Sequence, residues 1–337
     1  MTLSWTAVAV LAVVVALLAG VLVGPVEIGL GPILRSAIAR LPFLDVASPL
    51  SETEEAIVWE LRVPRVALGA LVGAMLALAG ASYQGVFRNP LADPYLLGVA
   101  AGAGLGATLA IAYVPGRPDW LLPLAAFAGA ILSVVAAYFV GRSVGGTRTT
   151  ATLILAGVTV AAFLTAAQTF VQQQRTDTLD EVYTWLLGGL GTSGWREVAL
   201  IAPYIAFSGA ILLAHRRALD VLAVGDEEAR SLGLDVSRTR LLLVACATLG
   251  TAAAVSVSGL IGFVGIVVPH LIRLVVASSY RVILPLSIAV GAAFLVLADV
   301  IARTALAPAE LPIGVVTAFV GAPFFALVLR TTRSVGP

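Results

Sequence analysis

Long apolar runs separated by short polar joints constrain the fold of this chain more than any other feature. About ten of these runs approach the roughly 20 residues that a helix needs to cross the hydrocarbon core of a bilayer. Of the 337 residues, 60% are hydrophobic and only 12% are charged, so a water-soluble fold could not bury the apolar surface. The sequence therefore predicts an all-α polytopic membrane protein with about ten transmembrane helices, in a single domain over residues 1–337.

Glycine, proline and charge clusters mark where the apolar runs begin and end. The predicted helices lie near residues 7–24, 57–86, 94–114, 120–142, 149–171, 196–214, 238–258, 264–277, 281–304 and 312–331. The run over 264–277 is too short to cross the bilayer alone at about 1.5 Å per residue, and it follows a break at Gly259, Gly262 and Gly265. We therefore expect a partial or tilted helix there.

The distribution of arginine predicts the orientation of the chain. An even number of spans places both termini on one side, and the joints on that side carry most of the 20 basic residues. These joints have a net positive charge, whereas the opposite joints have a net negative charge. The excess of positive charge on cytoplasmic loops of membrane proteins therefore predicts that both termini are cytoplasmic.

Several kinds of site are excluded by residue type. Cys246 is the only cysteine, and His215 and His270 lack nearby metal-ligating partners, so neither a disulfide nor a metal site is expected. All basic residues are arginine, which rules out a phosphate-binding loop with its lysine; if ATP drives this protein, another chain must hydrolyse it. The predicted spans lack central ionisable residues and intramembrane protease motifs, which argues against an ion-coupled carrier and an enzyme.

Motifs of unusual composition follow one another along the chain. The first are Arg62-Val63-Pro64-Arg65 and Gln84-Gly85-Val86-Phe87-Arg88-Asn89-Pro90-Leu91-Ala92-Asp93-Pro94. The prolines of Asn89-Pro90 and Asp93-Pro94 forbid a continuous helix and force a turn where two spans meet at the predicted cytoplasmic face. Later motifs are Gly262-Phe263-Val264-Gly265-Ile266-Val267-Val268-Pro269-His270, Leu297-Ala298-Asp299, Glu310-Leu311-Pro312-Ile313-Gly314-Val315-Val316-Thr317 and Gly321-Ala322-Pro323.

In their order and spacing, these motifs resemble the FecCD family of permeases, the membrane subunits of type II ABC importers for iron siderophores, haem and cobalamin. The resemblance covers nearly the whole chain from about residue 57, and it is specific because several motifs recur together. It implies the type II importer permease fold, and a transport subunit rather than an enzyme, in the cytoplasmic membrane of a bacterium or archaeon.

The resemblance also implies partners and a cargo. A homodimer of this chain would form the translocation path at its interface, together with two ABC ATPase subunits and an extracytoplasmic substrate-binding protein. No cofactor is expected on this chain, since ATP and magnesium would bind the partner ATPase, and no nucleic acid is expected. The expected cargo is an iron chelate, either a ferric siderophore or haem; a cobalamin importer is the alternative, and an ion-coupled secondary transporter is a distant one.

A translocation gate is implied at the predicted cytoplasmic face. By resemblance to the cobalamin-importing members of the family, Asn89 and Leu91 lie beside the cytoplasmic end of the path, and Thr149 and Thr150 form the other inner constriction. Ala151 stands where those members have a serine, which changes the chemistry of the constriction. From the residues alone, Asn89 and Leu91 could equally belong to a plain turn between two helices.

A second element on this face is predicted between the sixth and seventh spans. Within the joint of about 216–238, acids at the start and a glycine at the end of one stretch predict a surface helix of about two turns. The residues are Gly225, Asp226, Glu227, Glu228, Ala229, Arg230, Leu232, Gly233 and Leu234. With Ala229, Leu232 and Leu234 expected to be exposed, we interpret it as the segment that couples the chain to its ATPase, a solvated loop being the alternative.

Three arginines are expected at the outer face. Arg62, Arg65 and Arg303 lie at the predicted outer ends of two helices, where the ordinary interpretation is that long side chains reach the membrane surface. In the family, arginines at these positions pair with acids of the binding protein, and the planar guanidinium suits that role. Asp299 lies four residues before Arg303, so we expect these two side chains to pair.

Overall fold

A computed structural model describes residues 2–41, 43, 47–143, 150–191, 194–276 and 278–333. The described residues form helices and no strand. The bounds are α1 Thr2–Leu22, α2 Leu30–Ala39, α3 Glu52–Ala56, α4 Val63–Phe87, α5 Val99–Tyr113, α6 Leu121–Ser143, α7 Thr150–Gln174, α8 Leu179–Leu186, α9 Trp195–Ala214, α10 Arg216–Val224, α11 Asp226–Ser231, α12 Val236–Ser258, α13 Val264–Val275, α14 Tyr280–Thr304 and α15 Ile313–Arg333. A π-helical turn over Ile57–Arg62 joins α3 to α4.

Every predicted span contains a helix, so the all-α polytopic prediction is confirmed. Within the described residues, seven helices are long and apolar enough to cross a membrane, while α5, α13 and the stretch Ile313–Val328 of α15 are shorter. The partial helix expected near 264–277 is α13, whose 12 residues extend about 18 Å. Sequence reading placed no helix at α8 or α10, because short amphipathic helices lack the long apolar run by which spans are recognised.

The centre of the bundle is α4, which is buried along most of its length together with α12 and α14. It packs mainly on α14 and α12, with α13 and α9 also against it. In contrast, α1, α6, α7 and α9 expose many large apolar side chains, which in a membrane protein face lipid or another subunit. The central helices thus form the scaffold that holds the polar ends of the bundle in place.

Glycines let the central helices approach until their backbones touch. A Cβ atom at Gly80 of α4 would overlap the carbonyl oxygen of Gly265 in α13. In the same way, a Cβ atom at Gly73 of α4 would overlap the carbonyl oxygen of Gly291 in α14. Small residues at such crossings are typical of membrane bundles, where van der Waals packing replaces the hydrophobic effect between helices. The contact at Gly80 fixes the short helix α13 beside α4.

Candidate functional site

The turn after α4 is a tight, hydrogen-bonded loop, as its two prolines predict. α4 ends on Arg88, whose left-handed backbone has φ 51°. Within the turn, the Asn89 side chain accepts a hydrogen bond from the Leu91 N–H at 2.9 Å, and the Asp93 side chain accepts one from the Tyr95 N–H at 2.7 Å. Asn89 and Leu91 are exposed, so their side chains face outward from the predicted cytoplasmic end.

The same turn is fastened to the break that precedes α13. The Tyr95 hydroxyl donates to the carbonyl oxygen of Ile261 at 3.0 Å and accepts from the Ile261 N–H at 3.2 Å. Burial raises the pKa of the neighbouring Asp93 carboxyl to about 6, an effect opposed by its hydrogen bond from Tyr95. Because both breaks in helical structure are tied together, a movement of the turn would be transmitted to the start of α13.

The structure describes only one of the other two predicted gate residues, Thr149 and Thr150. Thr150 begins α7, and nothing is described of its side chain; Thr149 lies outside the described residues. The two threonines therefore stay a prediction, as does the role of the Asn89 turn.

The predicted coupling segment forms two short helices, α10 and α11, joined at Gly225. The end of α11 is closed as expected: Gly233 has φ 82°, and the Leu234 N–H donates to the carbonyl oxygen of Ala229 at 3.0 Å. The surface-helix prediction for this stretch therefore matches the structure. We call residues 216–234 the α10–α11 elbow.

The prediction that Ala229 is exposed is wrong. Ala229 is fully buried, with 0% exposure, and it joins the same buried cluster as Leu219 and Leu222 of α10. Leu234 is half-buried, whereas Leu232 is 71% exposed. Val224, which sequence analysis did not single out, is 70% exposed. The elbow therefore turns the small residue inward and presents two large apolar side chains outward.

Asp226 attaches the elbow to the turn after α4. Its carboxylate lies 3.1 Å from Nη2 of Arg88, the residue before Asn89, and 2.9 Å from Nη2 of Arg240 in α12. Charge-assisted hydrogen bonds of this length are stronger than neutral ones. One half-buried carboxylate thus connects α11, the end of α4 and the start of α12.

Asp220 attaches the elbow to α14. Its carboxylate accepts hydrogen bonds from the Ser279 hydroxyl at 2.9 Å and from the Tyr280 N–H at 2.6 Å, at the first turn of α14. An acid at a helix N-terminus is favourable because the helix dipole is positive there. The Tyr280 hydroxyl accepts from Arg273, which also donates to Gln84 of α4. The network runs from the elbow to the central helix.

At the predicted outer face, Arg62 and Arg303 are buried rather than exposed, each with 4% exposure. Arg62 donates to the carbonyl oxygens of Val21, Leu22 and Val26, and Arg303 donates to that of Gly20 at 2.6 Å. The last carbonyls of a helix lack intrahelical partners, and cations are favoured beside them. Both arginines therefore cap the end of α1, and in this conformation neither is available to a soluble partner.

Arg65 is paired within the chain as well. Its guanidinium donates to the buried carboxylate of Asp299, with Nη2 to Oδ1 at 2.8 Å, and to Glu310, with Nη1 to Oε1 at 2.9 Å and Nη2 to Oε2 at 2.8 Å. Arg303 pairs with Asp299 as expected, with Nε 3.6 Å from Oδ2, but the contacts that Arg65 makes with this carboxylate are shorter. The hydrogen bonds from Arg65 lower the pKa of the half-exposed Glu310 carboxyl, which is the group that this cluster presents to the outside.

These features define a class of protein. Seven described helices could span a membrane, a central glycine-packed scaffold supports them, and an apolar-tipped elbow is joined to a turn at the same end. No group of three or more His, Cys, Asp or Glu side chains in the described part of the chain is arranged to hold a metal ion. This is the architecture of a polytopic helical membrane protein.

Comparison with known proteins identifies the family. The profile of the FecCD transport family matches residues 11–331, so the chain belongs to that family. It is 41% identical to the cobalamin import system permease protein BtuC of Halobacterium salinarum, over 97% of this chain and 96% of the relative. It is also 41% identical to the vitamin B12 import system permease protein BtuC of Escherichia coli, over 83% of this chain and 85% of the relative.

Other relatives agree with the fold and class. The YvrB ABC transporter permease protein of Bacillus subtilis, itself uncharacterised, is 42% identical over 81% of this chain and 78% of the relative. A structure described as an inward-facing conformation of a metal-chelate type ABC transporter superposes with a TM-score of 0.82 and 26% identity, over 98% of this chain and 99% of that chain. The chain is therefore a permease-type transport subunit of an ABC importer and not an enzyme.

Proposed function

We propose that this chain is the membrane-spanning permease of an ATP-driven importer for cobalamin. The observation that carries the proposal is the similarity, over almost its full length, to a protein named as a cobalamin import permease, together with the bacterial relatives of the same kind. The iron chelate expected from the sequence is the competing cargo. It draws support from the neighbour described as a metal-chelate type transporter.

The proposed assembly is a homodimer of this chain with two ABC ATPase subunits and an extracytoplasmic binding protein, in the cytoplasmic membrane of a bacterium or archaeon. Residues 1–337 act as a single permease domain with both termini in the cytoplasm, and the orientation is supported by the charge of the joints. The chain itself holds no cofactor; ATP and magnesium belong to the ATPase. Exposed phenylalanines on α7, such as Phe163 and Phe170, support burial of this helix against lipid or a second copy.

In this proposal, the elbow docks the ATPase, and the gate residue Asn89 directly follows Arg88, which the elbow contacts through Asp226. The exposed Leu232 and Val224 are the apolar contacts offered to the ATPase. Asp226 then transmits movement of the elbow to Arg88 and so to the turn that holds Asn89 and Leu91. Thr149 and Thr150 are the other proposed gate residues. ATP shifts the equilibrium between inward-open and outward-open states because the ATPase contacts differ between them.

Docking of the binding protein is proposed at the outer cluster of Arg65, Asp299 and Glu310. Because Arg62 and Arg303 are buried, the exposed edge of this cluster is the Glu310 carboxylate. Arg65 could reach an acid of the binding protein if that acid displaced Glu310 from it. The docking therefore depends on exchange of one ion pair for another rather than on free arginines.

Uptake into proteoliposomes tests the cargo directly. The chain is reconstituted with its ATPase and binding protein, and ATP-dependent accumulation of cyanocobalamin, a ferric siderophore and haem is measured side by side. We expect accumulation of cobalamin only. Accumulation of an iron chelate without cobalamin would replace the proposed cargo, and uptake driven by a proton or sodium gradient without ATP would overturn the importer itself.

Asp226→Asn tests the link between the elbow and the gate. The substitution keeps the shape of the side chain but weakens its bonds to Arg88 and Arg240, and each bond to a charged group contributes about 1.5–3 kcal/mol. We expect uptake to fall roughly tenfold while ATP hydrolysis continues, measured in the same proteoliposomes. Asp119→Asn, which removes an exposed carboxylate at the other end of the bundle, is the control and should transport normally. If Arg88→Gln and Asp226→Asn lower uptake additively in the double variant, the two residues do not act together.

A further inference from the structure

A cavity of about 520 Å³ lies between α6, α12 and the start of α7, at the end of the bundle that carries the elbow. Most of its wall is apolar, and its charged residues are confined to one end. The aliphatic wall includes Ile131, Val134, Val135, Leu153, Leu241 and Val244. The charged end is formed by Arg142, Arg238 and Arg240. This cavity is thus shaped for a molecule with one charged end and an apolar body.

The length of the cavity matches one leaflet of a bilayer. On α6 the lining extends from Ile131 to Arg142, which are 11 positions apart and so about 16 Å along the helix. On α12 it extends from Arg238 to Thr248, about 15 Å in the opposite chain direction. A bilayer's hydrocarbon core is about 30 Å thick, so the arginines lie at headgroup depth when the other end lies near the midplane.

The charge at the polar end is only partly neutralised by the protein. Arg142 has no ion pair among the described residues, and its guanidinium lies 5.8 Å above the ring of Tyr138. Arg238 is almost fully exposed, with Asp235 as its partner at 3.1 Å. The buried Nε of Arg240 has no hydrogen-bond partner, although the far end of the same guanidinium binds Asp226. Two of the three arginines thus have one acidic partner each, while Arg142 and the Nε of Arg240 keep donors that suit a phosphate.

We propose that this cavity binds an anionic phospholipid of the inner leaflet, such as phosphatidylglycerol. The phosphate lies among Arg142, Arg238 and Arg240, and one acyl chain lies along α6 and α12 toward the midplane. Basic pockets between membrane helices on the cytoplasmic side are suited to anionic headgroups. The inference does not depend on the cargo or on the ATPase.

Native mass spectrometry of the purified, delipidated chain tests the proposal, with phosphatidylglycerol and phosphatidylcholine of equal chain length added separately. We expect selective retention of phosphatidylglycerol, and at least a tenfold loss of that binding in the double variant Arg142→Gln with Arg238→Gln. Arg35→Gln with Arg196→Gln removes the same charge from exposed positions elsewhere and should bind as the unchanged chain does. Arg240 is left intact because it also holds Asp226.

A second variant separates loss of the site from loss of the fold. Val135→Trp fills the apolar groove without changing any charge, and Val135 is exposed enough to accept the larger ring. It should also weaken phosphatidylglycerol binding at least tenfold, while the melting temperature of the lipid-free chain stays unchanged. Equal retention of phosphatidylcholine, unaltered binding by both variants, or equal stabilisation by inorganic phosphate alone would each overturn the lipid assignment. If a second copy of the chain covers the cavity, cysteines placed at Leu241 of two chains should crosslink. That result would also overturn the lipid assignment.

Discussion

Leu232→Asp is expected to abolish ATP-dependent uptake while the permease still folds and inserts into the membrane. Leu232 is 71% exposed in the elbow, so an aspartate at this position is hydrated in the isolated chain and lowers the stability of the fold only slightly. In the proposed complex, the same carboxylate would be buried against the ATPase without a partner, and an unpaired buried charge costs several kcal/mol. We expect recovery of the ATPase with the tagged permease to fall at least roughly tenfold.

The matched control for this variant is Leu306→Asp. Leu306 is also an exposed apolar residue, at 59%, but it lies in the loop between α14 and α15 at the opposite end of the bundle. It should retain the ATPase fully. Val224→Asp should behave as Leu232→Asp does, because Val224 is the other large apolar side chain that the elbow exposes. Normal ATPase recovery and uptake with Leu232→Asp would remove the elbow as the docking element and leave it as a connecting segment.

Ala229 shows why the outward face of the elbow could not be derived from its sequence. A helix of six residues is less than two turns long, so its apolar periodicity is too short to indicate which side is buried. The structure turns Ala229 onto the bundle because a small side chain fits beneath the helix, and it leaves Leu232 outside. An aspartate at Ala229 would therefore disturb the core itself and could not report on docking.

The membrane spans were predictable because few backbone conformations are stable in the hydrocarbon region of a bilayer. Backbone groups in the hydrocarbon region must be satisfied within the chain, so apolar runs of sufficient length have to be helices. The turn at Asn89 was predictable for an equally local reason, since proline cannot continue a helix. The ion pairs that organise the site are not local. Asp226 meets Arg88 across more than a hundred positions, and no spacing rule links the two residues.

The burial of Arg62 and Arg303 could not be predicted for a similar reason. Sequence position puts Arg62 and Arg303 at helix ends, where exposure is the usual outcome. What decides their burial is the end of α1, whose last carbonyl oxygens need donors that the first helix cannot supply itself. A signal was present in the sequence, since α1 ends without a basic residue in its last turn. Which distant arginines would supply the donors requires knowledge of the packing.

Gly80→Ala is expected to have the largest effect on the stability of the fold. The added Cβ atom would overlap the carbonyl oxygen and Cα of Gly265, and both belong to backbone that cannot move aside as a side chain can. Relief requires α4 and α13 to separate, which also disturbs the fit of Pro94 against Gly265. Overpacking of a tight core costs about 1–3 kcal/mol and occasionally more, and we expect this substitution at the upper end of that range.

The effect is measured as the loss of the folded, monodisperse permease on heating in detergent, with the lipid content held constant. Gly31→Ala is the control because a Cβ atom at Gly31 in α2 would meet no atom within 4 Å, so that variant should melt within a degree or two of the unchanged chain. If Gly80→Ala melts like the control, α4 and α13 are not in backbone contact in the membrane. If it melts early but insertion of α13 persists in protease protection, the damage is confined to the α4–α13 crossing, where the glycine contact fixes the partial helix beside α4.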